Sequence, residues 1–197
     1  MKNSACIALL GLVLGSGISQ AAFIDFNGLP GNNGDPFTSF SEAGFNVAAS
    51  SGNFQVGKAF GNPTPSIFSG SQTSSVDVTE IGPGTFTFSQ VDLGNAGGGV
   101  PSYTIQGFLN NALVLSTSGS LTAPFTFTTV SSPNSNQQLS LLRISFNRGT
   151  TSSYNIDNIG VNVAVPEPSS LALLGIAGTM ALGYRLRRRQ KVASIRS

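Results

Sequence analysis

Apolar and polar positions alternate through the middle of the chain. Thr85-Phe86-Thr87-Phe88-Ser89-Gln90-Val91 alternates strictly at first, and Ser102 to Leu109 places Tyr103 and Ile105 on one face. This two-residue period belongs to a strand with one buried side. Asn110-Asn111 joins the second run to Ala112-Leu113-Val114-Leu115-Ser116, which predicts a tight hairpin whose turn residues accept positive φ. Further strands are predicted at Phe23–Phe26, Phe45–Ala48, Phe54–Val56, Ser74–Val78, Pro124–Val130, Leu139–Phe146 and Tyr154–Val163. Turn signals at Gly82-Pro83-Gly84, Gly97-Gly98-Gly99, Ser118-Gly119 and Ser132-Pro133-Asn134 separate several of them. About ten short strands without a helical period between them predict an all-β fold, an antiparallel β-sandwich of jelly-roll type. Gly31 to Ser75 is less regular. Within it Phe60 to Phe68 reads either as a binding loop or as a connection whose Phe60, Ile67 and Phe68 plug the core.

The two ends break this pattern. Lys2, the apolar stretch Ala5 to Gly17 and the small residues of Ser19-Gln20-Ala21 have the order of a secretory leader, predicting a signal helix over 1–21 and cleavage between Ala21 and Ala22. At the other end Val165-Pro166-Glu167-Pro168-Ser169-Ser170 precedes an apolar run from Leu171 to Tyr184, and Arg185, Arg187, Arg188, Arg189 and Lys191 follow. A 14-residue helix spans roughly 21 Å against a hydrocarbon core of about 30 Å, so length alone favours a buried core helix. The flanks decide otherwise, because the clustered cations cannot enter a soluble core but can snorkel to a cytoplasmic headgroup layer. With Ser169 and Ser170 extending the span, a transmembrane helix is expected over 169–184, ended by a basic segment over 185–197. The resulting plan is a leader (1–21), a β-sandwich domain (22–164) and a tail (165–197). The positive-inside rule leaves Lys2 and the arginine cluster cytoplasmic and the domain outside the inner membrane.

Charge changes the picture once the ends are removed. The chain carries 10 Lys+Arg and 8 Asp+Glu, a net charge of +2. Most of the cations lie in the ends. Between Ala22 and Val165 only Lys58, Arg143 and Arg148 face seven carboxylates, a net charge of −4. Nucleic acid is therefore not an expected partner, since phosphate neutralisation needs clustered cations. The chain has no histidine, and its single cysteine, Cys6, sits in the leader, too near the start for a lipobox. Ser-His-Asp and Cys-His catalysis and His/Cys zinc sites are thereby excluded from the mature domain. Its roughly 144 residues suffice to bury a core without a disulfide.

The tail resembles the PEP-CTERM sorting signal of Gram-negative, biofilm-forming bacteria, with Pro166, Glu167 and Pro168 as the naming motif. That resemblance implies recognition by exosortase, a membrane transpeptidase-like enzyme, after passage through the secretion machinery. The three residues would be recognition residues, the chain being held transiently at the inner membrane before reaching the surface or matrix. Two prolines keep such a segment extended and outside the following helix, where a processing enzyme can grip it.

Phe23-Ile24-Asp25-Phe26-Asn27 and Tyr154-Asn155-Ile156-Asp157-Asn158-Ile159 resemble the first and last strands of carbohydrate-binding-module and galactose-binding-like jelly rolls, whose terminal strands pair. Some of those modules hold a structural calcium, and the resemblance implies Asp25, Asn27 and Asp157 as candidate ligands here. The competing reading has Asp157 and Asn158 hydrogen-bonding neighbouring loops. Tyr103 is expected in the core. Tyr154, next to the polar stretch Asn147 to Ser153, is the candidate ligand contact.

Three functions remain open. The first is a non-catalytic surface or extracellular-matrix protein associated with exopolysaccharide or biofilm. A secreted carbohydrate-active hydrolase would need two carboxylates about 5–5.5 or 6.5–9.5 Å apart, and no motif marks such a pair. A self-associating structural protein would use sheet edges that pair between chains. No enzymatic activity is expected.

Overall fold

Strands of two-residue periodicity leave one apolar face each, and two such faces must close on each other to exclude water. The computed structural model describes residues 21–163, and these form two antiparallel sheets facing each other, with no helix among them. The expected signal helix and transmembrane helix lie outside the described residues.

The strands are β1 (Ala21–Ile24), β2 (Pro36–Phe37), β3 (Ser39–Glu42), β4 (Phe45–Ser51), β5 (Phe54–Gly57), β6 (Ser66–Ser69), β7 (Thr73–Glu80), β8 (Phe86–Asn95), β9 (Ser102–Leu109), β10 (Ala112–Ser120), β11 (Thr126–Ser131), β12 (Leu141–Asn147) and β13 (Tyr154–Val163). The first sheet runs β11-β8-β13-β6-β5-β2, and β1 also pairs with β13. β6 covers the first half of β13 (Ile67 opposite Ile156) and β1 the second (Ile24 opposite Ile159). The second sheet runs β10-β9-β12-β7-β4-β3. The fold is thus the jelly-roll-like antiparallel sandwich expected from the alternation, and its terminal strands pair as the resemblance implied.

The core follows from the alternation. Val76 and Val78 of β7 and Leu142, Ile144 and Phe146 of β12 point inward from the second sheet, all buried. In β8 the inward set changes from Phe86 and Phe88 to Val91 and Leu93, an odd spacing that strict alternation forbids. The register of β8 against β13 shifts at this place, between Asp157 and Val161, so an irregularity restores the apolar face. Phe45 meets Phe86 edge-on across the sheets, with ring centroids 5.3 Å apart. Each fully buried side chain of this size contributes about 1.5–3 kcal/mol relative to exposure.

Several sequence expectations are corrected. Asn110 and Asn111 do form the β9–β10 turn, with φ of 50° and 66°. Ser118-Gly119, expected as a turn, lies inside β10, where Gly119 is paired with Tyr103. A Cβ there would sit 2.5 Å from the Tyr103 hydroxyl, so glycine serves the ring's close approach and not a reversal. Of the three residues read as core plugs, Ile67 is buried in the core. Phe60 packs against Phe127, with ring centroids 4.8 Å apart and planes tilted by 31°. Phe68 pairs with Asn155, and both side chains lie on the outer face of the first sheet.

Candidate functional site

On β13 the inward residues Tyr154 and Ile156 force Asn155 and Asp157 to the outer face of the first sheet. There the connection from Lys58 to Pro65 covers them, with cis peptides at Asn62–Pro63 and Thr64–Pro65. Asp157 is fully buried beneath it. Its Oδ2 accepts the Asn62 main-chain N–H at 2.6 Å and its Oδ1 that of Asn158 at 2.8 Å. Directly opposite in register stands Asp92, also buried, which accepts from Thr129 Oγ1 (2.6 Å), Asn62 Nδ2 (3.1 Å) and Asn158 Nδ2 (2.9 Å). Asn158 Nδ2 also donates to the Asn62 carbonyl. Two carboxyls are thus held by hydroxyl and amide donors, and no cation among the described residues is hydrogen-bonded to either.

This environment raises the Asp157 carboxyl from the ordinary 3.8 to about 7. Burial is the main cause, the two main-chain N–H groups oppose it, and the charges of Asp92 and Asp25 add to it. The folded chain therefore binds this proton more tightly than the unfolded chain does. The stabilisation is fully present below about pH 4 and is lost as pH rises through about 7. Thermal unfolding should accordingly occur at higher temperature at pH 5 than at pH 8, by on the order of 5 °C. Asp157→Asn should flatten that slope, although its amide NH2 must face one of the two N–H donors and lowers stability overall. An unchanged pH slope in the variant would remove Asp157 as the cause.

The candidate calcium ligands do not fit a shared cation. Asp25 and Asn27 meet, but Asn27 presents donors to the carboxylate, N to Oδ1 at 3.0 Å and Nδ2 to Oδ2 at 2.7 Å. Asp157 is close enough to feel the charge of Asp25, yet both of its oxygens are engaged by N–H groups of Asn62 and Asn158. The loop-bonding alternative describes Asp157. Near Asp25, the Glu42 carboxylate accepts the Phe26 N–H at 2.9 Å, and burial raises its pKa. No group of three His, Cys, Asp or Glu side chains among the described residues is placed to hold a metal.

Tyr154 is not a surface contact. It is fully buried, stacked on Phe146 at 4.2 Å with planes 12° apart. Its hydroxyl bonds Ser74 Oγ and donates to the Ser71 carbonyl at 3.3 Å. Strand parity, which turns Tyr154 inward with Ile156, overrides the polarity of the preceding loop. Tyr103, expected in the core, is half-buried against it. Ala21 and Ala22 lie in β1 opposite Asn162 and Val161. Pro166, Glu167, Pro168, Leu171, Tyr184, Arg185, Arg187, Arg188 and Arg189 lie outside the described residues.

The second sheet presents a different outer surface. Because Leu142, Ile144 and Phe146 face inward, Arg143, Ser145 and Asn147 face out, beside Thr104 and Gln106 of β9 and Thr73, Ser75 and Asp77 of β7. Ser116, Ser118 and Ser120 continue the face along β10. An ion pair is central to it: Arg143 Nε and Nη2 donate to the two oxygens of Asp77, each at 2.7 Å. Ser50 Oγ adds a bond of 3.0 Å to the same carboxylate. Six strands give a face roughly 24 Å wide, rich in hydroxyl and amide groups and without net charge from the pair. The sequence held the signal for Arg143, an outward position between inward Leu142 and Ile144, but not for Asp77 as its partner.

The class defined by this geometry is a β-sandwich domain, and several solved structures are similar to it. A DUF4465 family protein from Bacteroides caccae aligns with a TM-score of 0.52 at 11% identity, covering 74% of this chain and 100% of the other. A Stig cyclase from Fischerella sp. TAU aligns at 0.48 and 18% identity (75% and 100% covered). A family 29 carbohydrate-binding module from Piromyces equi aligns at 0.45 and 8% identity (75% and 92% covered). At these identities the likeness concerns the fold alone. No curated protein matches the sequence. The chain carries a PEP-CTERM protein-sorting motif, matched over residues 164–189, and so ends in the sorting tail of an exported protein.

Proposed function

We propose that this is a non-catalytic cell-surface or matrix protein, delivered by its leader, processed through exosortase at the tail, and associated with exopolysaccharide through the outer face of the second sheet. The observation that carries the polymer contact is the character of that face. Hydroxyls and amides across six strands offer donors and acceptors to a hydroxylated chain, and the Arg143–Asp77 pair provides a planar polar centre without excess charge. Aromatic stacking platforms are absent from its centre, so contact would rest on many weak hydrogen bonds and on avidity along a repeating polymer. A non-catalytic role is supported by Asp92 and Asp157, which lie beneath the Lys58–Pro65 connection with their oxygens occupied.

Affinity electrophoresis in gels containing the host's exopolysaccharide tests this. The wild-type chain should be retarded, and combining Gln106→Ala with Arg143→Gln should weaken retention by about tenfold, equivalent to about 1.4 kcal/mol. Equal mobility of both proteins with and without polymer would contradict the assignment.

One observation favours self-association as a second reading. β10 ends the second sheet with a sequence, ALVLSTSGS, that contains neither charge nor proline, and Leu113 is 53% exposed on it. Such an edge is open to pairing with a second copy. Concentration-dependent assembly without polysaccharide would support that reading.

A further inference from the structure

At one side of the sandwich the chain crosses between sheets twice. β2 of the first sheet continues through Thr38 into β3 of the second, and β4 of the second returns through Gly52 and Asn53 to β5 of the first. The two crossings are tied by the Ala49 N–H to the Thr38 carbonyl (2.8 Å). Gly52 has φ +72°, and a Cβ on it would lie 2.5 Å from Ser74 Cβ and 2.7 Å from the Thr73 carbonyl oxygen. Only glycine lets the second crossing lie this close to β7. Between the crossings an open cleft of about 510 Å³ remains.

We propose that this cleft binds a neutral sugar unit, one or two rings in size. Pro36, Phe37, Ala49 and Phe54 are its apolar lining residues. Its polar lining residues are Thr38, Asn53 and Gln55. The main chain of Asn53 is already engaged, its N–H with Ser71 Oγ (3.0 Å) and its carbonyl with Ser69 Oγ (2.8 Å). Its amide, like the Thr38 and Gln55 side chains, makes no hydrogen bond to another described residue. No lining side chain is ionised, which disfavours phosphate, carboxylate or a cation as ligand. A pyranose or furanose matches this set: its C–H groups suit the apolar lining residues, and each hydroxyl both donates and accepts, as amides and the threonine hydroxyl do. The volume lies within the roughly 300–1,000 Å³ usual for small-ligand sites.

This inference rests on the carbohydrate reading above but places a second, separate contact at the side of the sandwich. The test uses the full chain purified in detergent, with neutral mono- and disaccharides of glucose, galactose, mannose and xylose as probes, read by saturation-transfer NMR and calorimetry. The wild type should bind at least one probe with a Kd below about 10 mM, and Asn53→Ala with Gln55→Ala should weaken it at least about tenfold at unchanged Tm. Gln55→Glu, which keeps the volume and adds a charge, should also weaken it. Gln106→Ala with Arg143→Gln should leave these short probes bound while releasing polymer. Binding of none of the probes, or binding insensitive to both cleft variants, overturns the cleft site. Loss of short-probe binding in the sheet-face variant alone would move the sugar to that face and overturn the cleft while leaving the polymer reading intact.

Discussion

Tyr154→Ala is expected to destabilise the domain by about 3–5 kcal/mol, a large fraction of the 5–15 kcal/mol typical of a folded domain. The ring is fully buried and stacked on Phe146, so truncation opens a cavity between the sheets, which their hydrogen-bonded strands cannot easily close. Tyr154→Phe separates packing from polarity. It keeps the stack but leaves the buried Ser74 hydroxyl without its partner, for a loss of about 1–3 kcal/mol. Urea unfolding of the three proteins measures both terms. Sugar binding should persist in Tyr154→Phe, because the residue holds the core and touches no ligand. A Tyr154→Ala protein within about 1 kcal/mol of wild type would contradict this placement.

The strands most legible in the sequence are those with an uninterrupted run of their own. Tyr154–Val163 is β13 to the residue, and the β9–β10 hairpin follows from Asn110 and Asn111, which accept the positive φ that the turn requires. β6 was not legible, because Ser66-Ile67-Phe68-Ser69 holds two apolar residues after a proline. It is a strand because β5 and β13 pair with both of its edges. β2 and β3 are similarly short and are defined by β5 and β4. A sequence window cannot supply such partners.

The candidate sites divide on the same line. Local composition marked Asp157 as an acid in the last strand. That it faces Asp92 beneath Asn62 depends on segments far apart in the chain, brought together by the β8–β13 register and by the connection folded over it. The cleft beside Phe37 and Phe54 is likewise invisible in sequence, since two separate sheet crossings form its walls. The tail differs because its signal is linear. Motif, apolar run and arginine cluster occur in order, so residues 164–189 are readable without a fold.

The sorting tail should have the largest effect in the cell. Proline is disfavoured in a helix interior, and alanines at 166 and 168 remove that restriction from the motif. The most direct test is to replace Pro166-Glu167-Pro168 with three alanines in the native host and immunoblot membrane, surface-matrix and medium fractions. Wild-type protein should be found in the matrix fraction at reduced mass, whereas the variant should stay in the membrane fraction at the mass of the chain with its tail unprocessed. The same mass and the same distribution for both proteins would contradict this.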